Sequence, residues 1–168
     1  MASEQAPKRI GELLMERRLI TQEQLDEALS QQRVSKEFIG EILIRLGFVT
    51  PEALLAVLSA RYHIPHESLR VEQIDWSVVK QFSFSRLSQG KCFPIRADAE
   101  SVTMAIANPL DAWALSSIER MTGMRRVNVV LVLEQELQRA LRAYQQQSLR
   151  VLQSNLDDHG DHADRKSQ

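Results

Sequence analysis

Apolar residues in the first third of the chain recur at helical spacing, and the same recurrence then returns. Ile10, Leu13 and Leu14 are followed by Leu25, Ala28 and Leu29, spaced three and four residues apart within each set. That spacing predicts an apolar stripe on each of two short helices. The phrase IGELLMERRLITQEQLDEALSQ at 10–31 returns as IGEILIRLGFVTPEALLAVLSA at 39–60, a constant offset of 29 residues. Pairing Arg9–Gln32 with Phe38–Arg61 gives identity at nine of 24 positions: Ile10, Gly11, Glu12, Leu14, Thr21, Glu23, Leu25, Leu29 and Ser30. Five of the other fifteen pairs exchange apolar for apolar, at Leu13, Met15, Leu19, Ile20 and Ala28. A repeat this close is one supersecondary unit used twice.

Local signals agree with the periodicity. Thr21 stands where an N-cap belongs, with Gln24 three residues on, a capping-box pattern. Thr50 has the same role in the second copy, and Pro51 takes the first helical position, where a missing N–H costs nothing. Gly47 follows the periodic run ending at Leu46, the place for a left-handed C-terminal residue. Its counterpart is Arg18, which costs about 1 kcal/mol if the backbone is the same. Two helix pairs are expected over 8–62, packed as a compact four-helix unit.

Pro65 breaks this pattern, and the remainder has a different character. DWSVVKQF and FSRLSQG predict short helical pieces. CFPIRA (92–97) and SVTMAIA (101–107) read as a hairpin, with Pro94 marking the first as an edge strand. NPLD opens a helix over 112–121 that Gly123 stops, RRVNVVLVL (125–133) is strand-like, and an amphipathic helix follows over 134–152. The order β-β-α-β-α predicts a small α/β layer at 67–152. The fold class is α+β. Residues 153–168 are polar and predict a disordered tail or linker.

Charge and composition narrow the function. The 21 basic and 22 acidic residues give a net charge of −1, which argues against a general nucleic-acid binder. A single cysteine, Cys92, rules out an internal disulfide and suits a reducing compartment. No run of about 18 apolar residues exists, and the N-terminus lacks the apolar core of a signal peptide. A cytoplasmic location is expected, peripheral to the inner membrane only through a partner. There is no G-x-x-x-x-G-K-[ST] and no G-x-G-x-x-G. His63 and His66 form an H-x-x-H interrupted by Pro65, with no further ligands at metal spacing, and read as two surface histidines. Cys92 lies in a predicted strand away from any base and reads as buried filler. No catalytic set, metal site or cofactor is expected, so the chain reads as no enzyme by itself.

The doubled pattern R-[LI]-G-x-x-L-L-x-x-G-L-I-x-x-x-x-L-x-x-x-L-x-x-Q, with its five-residue spacer, resembles the MshEN-type domain. That domain is the N-terminal module of the hexameric ATPases of type II secretion and type IV pilus assembly. The resemblance covers residues 8–146, including P-I-R-A and V-T-M-A-I-A-N-P-L-D in the α/β half. It implies a regulatory module that binds one cyclic di-GMP, each motif gripping half of the ligand. Gly11 and Gly40 would let the helix starts approach that ligand, whose phosphates suit exposed N–H groups. An arginine fork suits phosphate or the guanine O6/N7 edge.

By the same resemblance, Arg9, Ile10, Gly11, Leu14, Leu25, Leu29 and Gln32 carry the first motif. Ile39, Gly40, Leu43, Gly47, Leu54 and Leu58 carry the second. Three positions depart: Phe38 stands for the second arginine, Arg61 for the second glutamine, and Arg18 for the first glycine. Phe38 offers a stacking face instead, and Arg61 or Lys36 supplies charge.

A different class of function remains open, a ligand-free adaptor linking the ATPase to the inner-membrane assembly platform. Its docking faces would be Leu54–Leu58 and the last helix at Leu137, Leu141 and Tyr144. A DNA-binding helix-turn-helix over RLITQEQLDEALSQQ is disfavoured by its acidic residues.

Overall fold

In the computed structural model, residues 8–123 and 126–160 are described, and they divide into two compact units between His66 and Glu67. In the first unit each copy of the repeat forms the expected pair. Helix α1 (Ile10–Glu16) leads to α2 (Gln22–Ser35), and α3 (Ile39–Arg45) leads to α4 (Pro51–Tyr62). Thr21 Oγ1 accepts from Gln24 N–H while the Gln24 side chain accepts from Thr21 N–H at 2.9 Å, closing the capping box. Thr50 Oγ1 accepts from Ala53 N–H in the same way.

The joints between paired helices repeat bond for bond. After α1 the Arg18 and Leu19 amides donate to the Met15 and Leu14 carbonyls; after α3 those of Gly47 and Phe48 donate to Ile44 and Leu43. This is the Schellman arrangement, which needs a left-handed residue. Gly47 supplies it at φ +73° without strain, and Arg18 adopts it at φ +56° against its Cβ. The condition attached to the Arg18 cost, one backbone conformation at both positions, is met.

Contacts between the copies are also reciprocal. Helix α1 packs on α4 as α2 packs on α3, and α1 meets α3. Exchanging the two copies leaves that pattern unchanged. Leu14, Ile42, Leu43 and Val57 are fully enclosed in the shared core.

The second unit holds the sheet. Asp75 and Ser83 cap the short helices α5 (Trp76–Val79) and α6 (Phe84–Gln89). Strands β1 (Cys92–Ala97) and β2 (Ser101–Ile106) form the hairpin, with Asp98 accepting from the Glu100 and Ser101 amides in its turn. Helix α7 (Ala112–Thr122), capped by Asp111, crosses over to β3 (Arg126–Leu131), which lies parallel to β2. The sheet order is β1-β2-β3, so Pro94 does lie on an edge strand, beside a register shift. Helices α7 and α8 (Glu134–Gly160) both pack on β2. Val102–Ile106 are accordingly buried without alternation.

The α+β expectation holds, with one correction at its end. Helix α8 runs through Gly160, so 153–160 are helical where a disordered tail is expected from composition. Helix propagation adds one bond per residue once a nucleus exists, and 153–159 contain neither proline nor glycine. Residues 161–168 of that expected tail lie outside the described residues, as does Arg125 at the start of the third expected strand.

Candidate functional site

Fourteen residues of the repeat are candidates for ligand contact, and the fold sorts them into a scaffold and a surface. Leu14 and Leu43 are fully enclosed, and Ile10, Leu25, Leu54 and Leu58 are buried. These side chains shape a surface from below. Arg9, Leu29 and Phe38 are exposed, and Gln32, Ile39 and Arg61 are half-buried.

Gly11 and Gly40 have a packing reason for being glycine. A Cβ on Gly11 would meet Leu25 Cδ1 at 2.6 Å, and one on Gly40 would meet Leu54 Cδ2 at 2.6 Å. Each glycine thus lets the first helix of its pair lie against the leucine of the second. Both glycines are buried, so the close approach they permit in this fold is between helices of one pair.

The helix starts are less available to an anion than the sequence suggests. Helices α1 and α3 are only seven residues each, too short to build a strong end charge. Arg9 N–H already donates to the Glu12 carboxylate at 2.9 Å. Glu41 adds a second acid in the first turn of α3. Anion attraction at this unit therefore has to come from side chains.

Arg9 and Phe38 hold equivalent places. Each is the N-cap of its helix in extended backbone, at φ −72° and ψ 155° for Arg9 and φ −66° and ψ 138° for Phe38. The Arg9 guanidinium has no ion-pair partner among the described residues, whereas Arg45 is tied to Glu37 at 3.0 Å. Phe38 is 37% exposed, a large apolar side chain held half in water. Gln32 Nε2 donates to the Glu37 carbonyl at 2.9 Å, which ties the end of α2 to the residue before Phe38. Its counterpart Arg61 lies over the Tyr62 ring at 5.4 Å.

The two halves differ in one further respect. Leu29 is 36% exposed, while its repeat mate Leu58 is 6% exposed. Val34, near the end of α2, is 86% exposed and was not among the candidates. A signal for it exists in the sequence: Val34 is apolar but lies off the Leu25–Ala28–Leu29 stripe.

The docking faces expected for an adaptor are not available. Leu54, Leu55, Val57 and Leu58 are in the core of the first unit, and Leu137, Leu141 and Tyr144 are in that of the second. Periodic apolar residues mark the face a helix buries, and here that face is already covered. The large apolar side chains exposed in the second unit include Leu110, just before α7, and Trp113, in its first turn, where Arg120 lies 4.8 Å over the indole.

His63 and His66 are exposed, with His66 Nδ1 at 3.1 Å from Ser59 Oγ. Cys92 is buried, and burial pushes its thiol up to about 12. No described helix is long and apolar enough to cross a membrane.

Comparison with known proteins places this architecture. The family described as the MshEN domain matches residues 62–151. That match lies on the α/β half, the portion whose sequence motifs are the less specific to the eye. The chain is 29% identical over 119 residues to the type IV pilus assembly ATPase PilB of Thermus thermophilus, covering 70% of this chain and 13% of that protein. It is 28% identical over 133 residues to bacteriophage adsorption protein B of Escherichia coli, covering 79% of this chain and 18% of that protein. The chain therefore spans less than a fifth of the length of these relatives. A solved structure of MshE with cdg superposes with a TM-score of 0.72 at 23% identity, covering 82% of this chain and 99% of that one. That coverage exceeds what either unit alone contains, so the likeness in fold takes in both. The chain belongs to the MshEN domain family.

Proposed function

We propose that this chain is a regulatory module that binds one molecule of cyclic di-GMP across its tandem repeat. The observation that carries the proposal is the exchange symmetry of the first unit. Both helix pairs have the same joints, the same glycine–leucine contact and reciprocal packing. A ligand of two identical halves is best met by two like surfaces related by the same operation. MshE has this fold and has been solved with cdg, the abbreviation of cyclic di-GMP.

The roles divide by exposure. Leu14, Leu25, Leu43, Leu54 and Leu58 with Gly11 and Gly40 set the shape. Arg9, Leu29, Gln32, Phe38, Ile39 and Arg61 meet the ligand. Arg9 supplies the fork, matched to phosphate or to the guanine O6/N7 edge. Arg61 adds a second positive charge. The module catalyses nothing; it couples the second-messenger level to a pilus or secretion ATPase on the cytoplasmic side, the class of machine to which the PilB relative belongs.

Calorimetric titration of the 168-residue chain with cyclic di-GMP tests this. A saturable transition at one dinucleotide per chain is expected, with GMP binding far more weakly. Absence of heat and of any thermal shift at high ligand concentration would overturn the proposal.

A further inference from the structure

The two halves of the proposed site are alike in backbone and unlike in chemistry. Arg9 and Phe38 occupy the same N-cap position in copies whose joints match bond for bond, and both side chains reach solvent. One half thus presents a planar cation with paired donors, and the other a flat apolar ring. Other repeat-equivalent positions diverge as well, Gln32 against Arg61 and exposed Leu29 against buried Leu58. A two-fold scaffold here carries two different recognition surfaces.

Those surfaces read different features of a purine. A guanidinium donates two parallel hydrogen bonds to the O6 and N7 acceptors of guanine, whereas adenine puts an amino donor at that edge. An aromatic ring stacks on the π-face, which every base has, and so tolerates guanine and adenine alike. The discrimination resides in the Arg9 half.

Resting on the cyclic di-GMP reading, we infer that this site is selective for one guanine only, and that the mixed cyclic dinucleotide 3′,3′-cyclic GMP–AMP is a ligand of comparable affinity. The guanine lies against Arg9 and the adenine stacks on Phe38. The mixed ligand fits in one orientation where the symmetric ligand fits in two, a factor of about two in its disfavour. Cyclic di-AMP has no guanine for Arg9 and loses that contact in either orientation.

Three probes titrated into the 168-residue chain test the inference: cyclic di-GMP, 3′,3′-cyclic GMP–AMP and cyclic di-AMP. The expected order puts the mixed ligand within about threefold of cyclic di-GMP, and cyclic di-AMP roughly ten- to a hundred-fold weaker. Phe38→Arg should open a gap of about tenfold or more between cyclic di-GMP and the mixed ligand, since both halves then demand guanine. Circular dichroism of that variant checks that its fold is kept. If wild type binds cyclic di-GMP but holds the mixed ligand more than about tenfold more weakly, the inference is overturned and the cyclic di-GMP reading stands. A folded Phe38→Arg chain with an unchanged ratio overturns the inference likewise. If no probe binds, both fall.

Discussion

Gly11 lies so close to Leu25 that a Cβ on the glycine would come within 2.6 Å of the leucine Cδ1. The contact fixes how near α1 comes to α2, and the same distance recurs between the same residue types one repeat later. Gly11→Ala should gain about 0.5–1 kcal/mol of helix propensity and lose about 1–3 kcal/mol to overpacking. The expected outcome is a net loss. Gly11→Ala and Leu25→Ala combined should be less destabilising than the sum of the two, read as a coupling in urea denaturation. Additive effects would mean that the two residues are not in contact.

At the next joint the repeat carries a strained residue. Arg18 sits at φ +56° where Gly47 sits at φ +73°. Arg18→Gly should stabilise the chain by about 0.5–1 kcal/mol, because relief of the left-handed penalty exceeds the added freedom of the unfolded chain. Gly47→Ala should cost about 1 kcal/mol. Denaturation midpoints for both variants check the pair of signs.

Glu67 and Arg96 form a bidentate pair at 2.7 and 2.9 Å. The Arg96 hydrogen bonds hold the Glu67 carboxyl below its ordinary value, against a smaller opposing effect of burial. A depressed folded value gives stability that is present above the unfolded carboxylate pKa, near about 4.3, and lost as pH falls through the folded value. Both side chains are more than a third exposed, so the pair is worth at most about 1 kcal/mol. Glu67→Gln should therefore show its full cost at neutral pH and converge on wild type by about pH 2. A cost that stays constant over that range would assign the effect to packing.

Tyr144 donates its hydroxyl to the Phe82 carbonyl at 2.8 Å inside the second unit, where its ring also meets Trp76 and Phe84. Tyr144→Phe keeps the ring contacts and removes the bond. A loss of about 1–2 kcal/mol is expected, with the thermal transition remaining cooperative.

Much of this molecule is legible in its sequence because short-range signals and the tertiary contacts agree. The offset of 29 residues, the Thr21 and Thr50 caps and the Pro94 edge all describe features that backbone chemistry enforces locally. What stayed hidden depends on which face is covered. Leu54–Leu58 and Leu29 belong to one periodic pattern, yet Leu29 emerges to solvent while Leu58 does not, and periodicity alone carries no information on that difference. The reason for Gly11 is similar: a glycine beside a helix start admits a ligand or a neighbouring leucine equally, and only the position of Leu25 decides between them. The extension of α8 to Gly160 shows composition failing in another way, since a polar segment stays helical when it continues a helix already nucleated.

The most direct test of cyclic di-GMP binding across the repeat is the affinity of Arg9→Ala relative to wild type. Arg9 is exposed, lies off the apolar stripe and has no ion-pair partner among the described residues, so its removal should leave the melting temperature unchanged. Loss of one bidentate contact of about 1–3 kcal/mol predicts binding roughly ten- to a hundred-fold weaker. An Arg9→Ala chain that folds normally and binds cyclic di-GMP with wild-type affinity would contradict the account.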